Sequence, residues 1–203
     1  MTRAAARAHP RMTFEEFQAF VAAQPDGERW ELVDGQAVMN AWPTDYHQAI
    51  VGNVNTFLLN HKNAHGSAWL PLPGHGVPVP GVPEQRAPAP DIVVRPDALT
   101  GQSYSRDPIV VFEVLSPSNN KADHDWRFMA YSSVPSIEQY VVVEQSTIRV
   151  AVMNRSENWA ERVIDAIDSE VVLDAIGVRL PLAEIYRWTG FDPGISSGAT
   201  RAS

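Results

Sequence analysis

The sequence predicts an α/β or α+β domain built on a mixed β-sheet flanked by helices, and three observations lead there. The patterns alternate in the order helix, hairpin, long helix, strands, helix, strands. The run Ile109 to Leu115 has the β-branched density of a strand covered on both faces. The chain of 203 residues, 44% hydrophobic and 20% charged, has the composition of a globular protein and a length that favours one core.

Each element has a local reason. Met12 to Ala23 reads as a short amphipathic helix: Thr13 can cap it, Glu16 completes a capping box, and Phe14, Phe17, Phe20 and Val21 share a face. Trp30 to Val33, Asp34-Gly35 and Ala37 to Met39 spell a hairpin, because Asp-Gly tolerates the positive φ angles of a tight turn. From Asp45 to His65, Ile50, Val54, Phe57 and Leu58 fall on one helical stripe that stops at Gly66. Residues 71 to 96 hold eight of the sixteen prolines, which lack the N–H that a central strand donates, so this stretch is expected to be loop or edge-like.

Ile92 to Val94 and Ile109 to Leu115 follow as strands and Lys121 to Ser133 as a helix. Gln139 to Val143 with Thr147 to Met153 is a second hairpin; Trp159 to Ile164 and Val171 to Leu173 are further strands, and Leu182 to Trp188 a short helix. A flexible arm over 1–11, one domain over 12–191 and a disordered tail over 192–203 complete the expected organisation, without internal repeats.

Sixteen Lys plus Arg against twenty-four Asp plus Glu give a net charge of −8, which disfavours broad attraction to nucleic acid but permits a local basic groove. Only Lys62 and Lys121 are lysines. The absence of cysteine excludes disulfides, thiol catalysis and thiolate metal sites, and a cytoplasmic location is expected. No apolar run approaches a membrane span, and the opening residues lack the apolar segment of a secretory signal.

Glu113 carries the most information, because it interrupts a run that otherwise belongs wholly in a core. A buried ionised carboxylate costs several kcal/mol unless it is paired, hydrogen-bonded or bound to metal. An arginine can compensate it, it can lie near the exposed strand end, or it can serve chemistry. Asp91, at the mouth of the preceding strand in Pro90-Asp91-Ile-Val-Val94, can be brought beside Glu113 if the two strands are neighbours, and paired carboxylates suit magnesium or manganese.

Glu31 is either a third acid near the same cation or a solvent-facing strand residue. His47 opens the long helix, where it can reach such a site or stand as an exposed polar residue; it lies about 21 Å from His61, too far to share a metal. Asp123, Arg127 and Tyr131 follow at i, i+4 steps on one helical face, as an ordinary ion pair and packed aromatic or as a cationic face turned to the carboxylates.

Trp30-Glu31-Leu-Val-Asp-Gly35, His47-Gln48, Pro90-Asp91-Ile-Val-Val94, Phe112-Glu113-Val-Leu-Ser-Pro-Ser118 and Tyr131 to Val143 together resemble the Uma family of putative restriction endonucleases, within the PD-(D/E)xK nuclease superfamily. The resemblance spans residues 12 to 191. It implies a restriction endonuclease-like fold and a magnesium- or manganese-dependent phosphodiester hydrolase acting on nucleic acid, DNA in the first instance, in which Asp91 and Glu113 ligate the cation, the backbone at Val114 helps, and Glu31 and His47 support. A homodimer is compatible with it.

The superfamily lysine is missing: two residues after Glu113 stands Leu115, and at the position on the following helix where family members usually carry one stands Arg127. Arginine stays protonated, so its role would be electrostatic, and Lys121 is the lysine close enough to substitute. The same departures motivate an alternative, a nuclease fold without turnover that serves as a nucleic-acid-binding or interaction module.

Overall fold

The protein's structure, a computed structural model, describes residues 11–25, 28, 30–33, 35–39, 43–79, 88–115 and 121–191. The expected arm, Arg11 aside, and the expected tail lie outside these residues, as do the side chains of Glu31, Val33, Val38 and residues 121–123.

Helix α1 (Phe14–Ala22) starts with the expected capping box: Glu16 N–H donates to Thr13 Oγ1 (3.2 Å), and Thr13 N–H to Glu16 Oε2 (2.7 Å). It buries Phe17 against Leu32 of the hairpin β1 (Trp30–Val33) and β2 (Gln36–Met39), whose turn uses Gly35 at φ 73°. Helix α2 (Asp45–His65) begins at Thr44, whose hydroxyl accepts the His47 N–H, and ends at Gly66 in the left-handed conformation that glycine adopts without strain.

Six strands form the central sheet in the order β3 (Trp69–Pro73), β4 (Ile92–Pro96), β5 (Val110–Leu115), β6 (Gln139–Glu144), β7 (Val150–Asn154), β8 (Glu161–Ile164). All neighbours are antiparallel except β5 and β6, which run parallel across the crossover helix α3 (Lys121–Ser133). Where it is described, the proline-rich stretch meets the expectation of an edge: β3 carries Pro71 and Pro73 and pairs with β4 on one side only.

The pleat divides the sheet into two cores. Ile92, Val94, Val110, Phe112, Val114, Val141 and Val143 face α2, the hairpin β9 (Glu170–Leu173) and β10 (Val178–Pro181), and α4 (Leu182–Ile185). Val93, Val111, Tyr140 and Val142 face the α3 layer, with Ala130, Tyr131 and Val134. α4 is shorter than the predicted Leu182 to Trp188 helix, because Tyr186 has left helical geometry and Trp188 sits at φ 64°.

Polar residues lock these layers. Arg155 donates to the carbonyls of Ile137 (2.7 Å), Val134 (2.6 Å) and Ser132 (3.2 Å), satisfying acceptors at the end of α3 and just beyond it. Buried Gln139 donates to Asn154 Oδ1 (2.8 Å) and the Val172 carbonyl (3.2 Å) and accepts from Ala175 N–H (3.0 Å), tying β6 to β7 and the β9 region. Tyr186 reaches across to the β6–β7 turn, where its hydroxyl lies 2.9 Å from Arg149 O and 3.0 Å from Glu144 O, and its oxygen accepts the Arg149 N–H at 3.0 Å.

Burial pushes the Tyr186 phenol up to about 12, so the fold favours the neutral ring. That contribution is complete below pH 10 and is lost as pH rises towards 12. Tyr186→Phe is expected to lower stability by about 1 to 2 kcal/mol at pH 7 through its lost hydrogen bonds. The gap between variant and wild type should narrow from pH 10 to pH 12 in denaturant titrations; a gap that stays constant would count against the buried phenol as its cause.

Candidate active site

Glu113 lies in β5 with the parity of Val111, so its carboxylate enters the α3 layer rather than the α2 layer. It is 6% exposed. Arg127 and Tyr131, one turn apart on α3, meet it there: Arg127 Nη1 donates to Glu113 Oε1 at 2.9 Å, and Tyr131 O–H donates to the same oxygen at 2.6 Å. The i, i+4 spacing read in the sequence therefore turns towards the carboxylate. Tyr131 is fully buried, and burial first, then the Glu113 charge, hold its phenol well above its ordinary value of 10. At neutral pH it is a hydrogen-bond donor and not a base.

Asp91 immediately precedes β4. Because Ile92 pairs with Phe112, Asp91 falls one step further along the antiparallel ladder, across from Glu113. It is also 6% exposed. Its Oδ2 accepts the Val114 N–H at 2.8 Å and lies 3.2 Å from His47 Nε2. The backbone at Val114 thus takes part in the site through its N–H, which orients Asp91.

His47 is buried, which corrects the reading of an exposed polar residue and follows from where α2 begins. Thr44, its N-cap, accepts the His47 N–H at 3.2 Å and donates to Gln145 Oε1 at 2.6 Å. Gln145 lies just past β6 and donates its N–H to Leu115 O at 3.4 Å. The sheet end that carries Glu113 thereby holds the first turn of α2 against Asp91. Its imidazole Nδ1 is a buried atom with no hydrogen-bond partner among the described residues.

Sequence reasoning missed Gln145 and the role of Thr44. The available signal was a polar residue directly after an apolar strand, at the carboxyl end of the parallel pair, where ligands of open α/β sheets collect. Leu115 packs against the α3-side core, as its parity with Glu113 demands. The backbone of Glu31 pairs with Val38 in the β1–β2 hairpin. Lys121 is the first residue of α3, after a stretch (116–120) outside the described residues. His61 and His65 stack at 4.1 Å near the opposite end of α2 from His47, and burial, then His65, lower the His61 pKa.

The donor chemistry fits a hard divalent cation. Asp91 and Glu113 bring two carboxylates to one buried place, where Arg127 pairs with Glu113. No group of three or more His, Cys, Asp or Glu side chains gathers among the described residues. Magnesium suits two protein ligands, because it keeps several waters and is commonly held by one or two carboxylates.

A six-stranded mixed sheet with one parallel pair, flanked by helices, defines a mixed α/β fold, with an acid in a central strand and a second acid across the ladder. The chain belongs to the Uma2 family, described as putative restriction endonucleases, whose family model matches residues 14–183. Its fold is also that of a putative nuclease of the DUF820 group from Anabaena variabilis: the crystal structure superposes with a TM-score of 0.69 at 15% identity, over 88% of this chain and 99% of that one. The uncharacterized protein slr1290 of Synechocystis is 23% identical over 185 residues, covering 90% of this chain and 95% of that protein.

Arg127→Ala leaves Glu113 in its buried position without its guanidinium, so it is expected to cost about 3 to 5 kcal/mol. The cost should be much smaller in a Glu113→Gln background. A double-mutant cycle by denaturant unfolding reads the coupling, and additive effects would mean that the pair does not hold β5 and α3 together.

Proposed function

We propose that this protein is a metal-dependent endonuclease that hydrolyses phosphodiester bonds of nucleic acid, DNA in the first instance, in the cytoplasm. One observation carries the reading: two buried carboxylates, Asp91 and Glu113, face each other at the end of apolar strands in a chain of this family. They are the residues assigned to hold magnesium or manganese. When bound, the cation polarises the phosphate and lowers the pKa of an attacking water.

The chain's own groups divide the remaining work. Val114 N–H and His47 Nε2 fix Asp91 Oδ2, while Tyr131 and Arg127 fix Glu113 Oε1, so both carboxylates are held before substrate arrives. Arg127, always charged, opposes negative charge developing on the phosphate and removes no proton. Lys121 and Glu31 complete the assignment, Lys121 as the lysine at the start of α3 and Glu31 as a supporting acid. A homodimer belongs to the same reading.

A specific contact favours a second reading. Arg127 occupies Glu113 directly, and an arginine there suits a module that binds nucleic acid without turnover.

Supercoiled plasmid and labelled single-stranded DNA, incubated with magnesium, manganese or chelator, should be cut by the wild type only when metal is present. Glu113→Ala should reduce cutting at least a hundredfold, in line with the about 10²-fold or more that a lost electrostatic contact at a reacting centre costs. Equal cutting by Glu113→Ala would sink the assignment. Absence of cutting together with absence of manganese binding by calorimetry would select the inactive module.

A further inference from the structure

Among the described residues, seven large hydrophobic side chains are exposed, and two of them are aromatic: Tyr46, 52% exposed, and Trp188, 67% exposed. Tyr46 lies in the first turn of α2, and Trp188 follows Arg187, whose carbonyl accepts from Asn53 of α2. Tyr46 directly precedes His47, whose ring reaches Asp91, so it stands at the rim of the candidate site. Asn53, seven residues after Tyr46, shares its flank about 10.5 Å further along the helix. The Asn53 side-chain amide donates to the carbonyls of Ile185 (3.1 Å) and Arg187 (2.7 Å), directly before Trp188.

Trp188 is displayed at a cost. Its φ of 64° is an outlier for a bulky side chain, and such conformations persist only where the surroundings enforce them. Asn53 enforces this one from before the residue. Thr189 enforces it from after, through its N–H (3.1 Å) and hydroxyl (2.6 Å) to Tyr186 O. Nothing in the core requires the indole, which points into solvent. The Arg187 guanidinium, paired with Glu184, lies 5.9 Å from the indole centroid.

We infer that Tyr46 and Trp188 form a stacking platform for unpaired nucleobases, which leads a single strand of nucleic acid along the flank of α2 to Asp91 and Glu113. The inference rests on the nuclease reading for its occupant. Charge favours a grip of this kind over a phosphate clamp: the protein carries −8, and Arg187 is the cation set against the platform. Aromatic faces stack on any base, because every base has a π-face, and arginine against them adds to the attraction. A duplex hides its base faces, so the platform selects unpaired strands.

The test measures fluorescence anisotropy of a labelled, unstructured DNA strand of about 20 nucleotides, the matching RNA strand and the matching duplex, with chelator present so that nothing is cut. The full chain should bind the single strands more tightly than the duplex, with a shallow salt dependence. Tyr46→Ala and Trp188→Ala should each weaken single-strand binding about tenfold, and Trp188→Phe should restore most of it. The DNA and RNA arms decide which sugar the strand carries. Trp188→Gly, which removes both ring and backbone strain, should melt no lower than wild type yet bind as weakly as Trp188→Ala.

Duplex bound as tightly as single strand, or alanine variants that bind like wild type, would overturn the inference. So would variants that lose only self-association on light scattering, because the surface would then belong to a second copy. Metal- and Glu113-dependent cutting that is unchanged in both variants removes the platform and leaves the nuclease. Single-strand binding lost in both variants, in a protein that cuts nothing, keeps the platform and removes the nuclease.

Discussion

The structure depends on how one carboxylate is kept in an apolar strand. Glu113 sits among Val110, Val111, Phe112 and Val114, all at most 4% exposed, and its desolvation would oppose folding by several kcal/mol without partners. The partners come from α3, which must dock with Arg127 and Tyr131 turned to the sheet. That requirement fixes the rotation of α3 about its axis, and the crossover from β5 through α3 to β6 makes the contact local in sequence, 14 residues for Arg127 and 18 for Tyr131. Arg155 then closes the end of α3 by binding carbonyls at and beyond it.

A second set of contacts builds the other half of the site from elements far apart in the chain. Gln145, Thr44, His47, Asp91 and Val114 are joined in sequence by hydrogen bonds and one close His–Asp contact, running from β6 through α2 to the start of β4 and back to β5. Each link satisfies a buried or half-buried polar group that would otherwise be costly. The first turn of α2 is thus placed by the sheet end itself, and an aromatic that precedes His47 is carried to the rim without a contact of its own in the core.

Much of this was legible because the fold rests on periodicity. The capping box at Thr13, the stripe Ile50, Val54, Leu58, the glycine at 66 and the apolar run through Glu113 all declare local geometry, and the prolines at 71 and 73 declare an edge. Asp91 and Glu113 could be named because charge inside or beside an apolar strand is itself a signal. Gln145 could not, since a lone amide after a strand has no periodicity and its value comes only from Thr44, 101 residues earlier. The short α4 escaped for a related reason: the carbonyls of Ile185 and Arg187, before Trp188, are held by Asn53, more than 130 residues earlier, a contact that the local sequence does not encode.

The neighbours of the two acids limit the chemistry that the site can perform. Arg127 cannot release a proton at physiological pH, and Tyr131, with its phenol held well above 10, only donates. Among the described residues, Glu113 thus accepts from a guanidinium and a phenol. Asp91 accepts from the Val114 N–H and lies 3.2 Å from His47 Nε2, and the other ring nitrogen of that imidazole is buried with no hydrogen-bond partner among the described residues. Two acids of equal burial thus have different surroundings, one beside a guanidinium and a phenol, the other beside a backbone N–H and an imidazole. In the proposed hydrolysis, Arg127 would oppose negative charge beside Glu113 while Val114 and His47 hold Asp91 in place, so the two acids are positioned by independent sets of contacts.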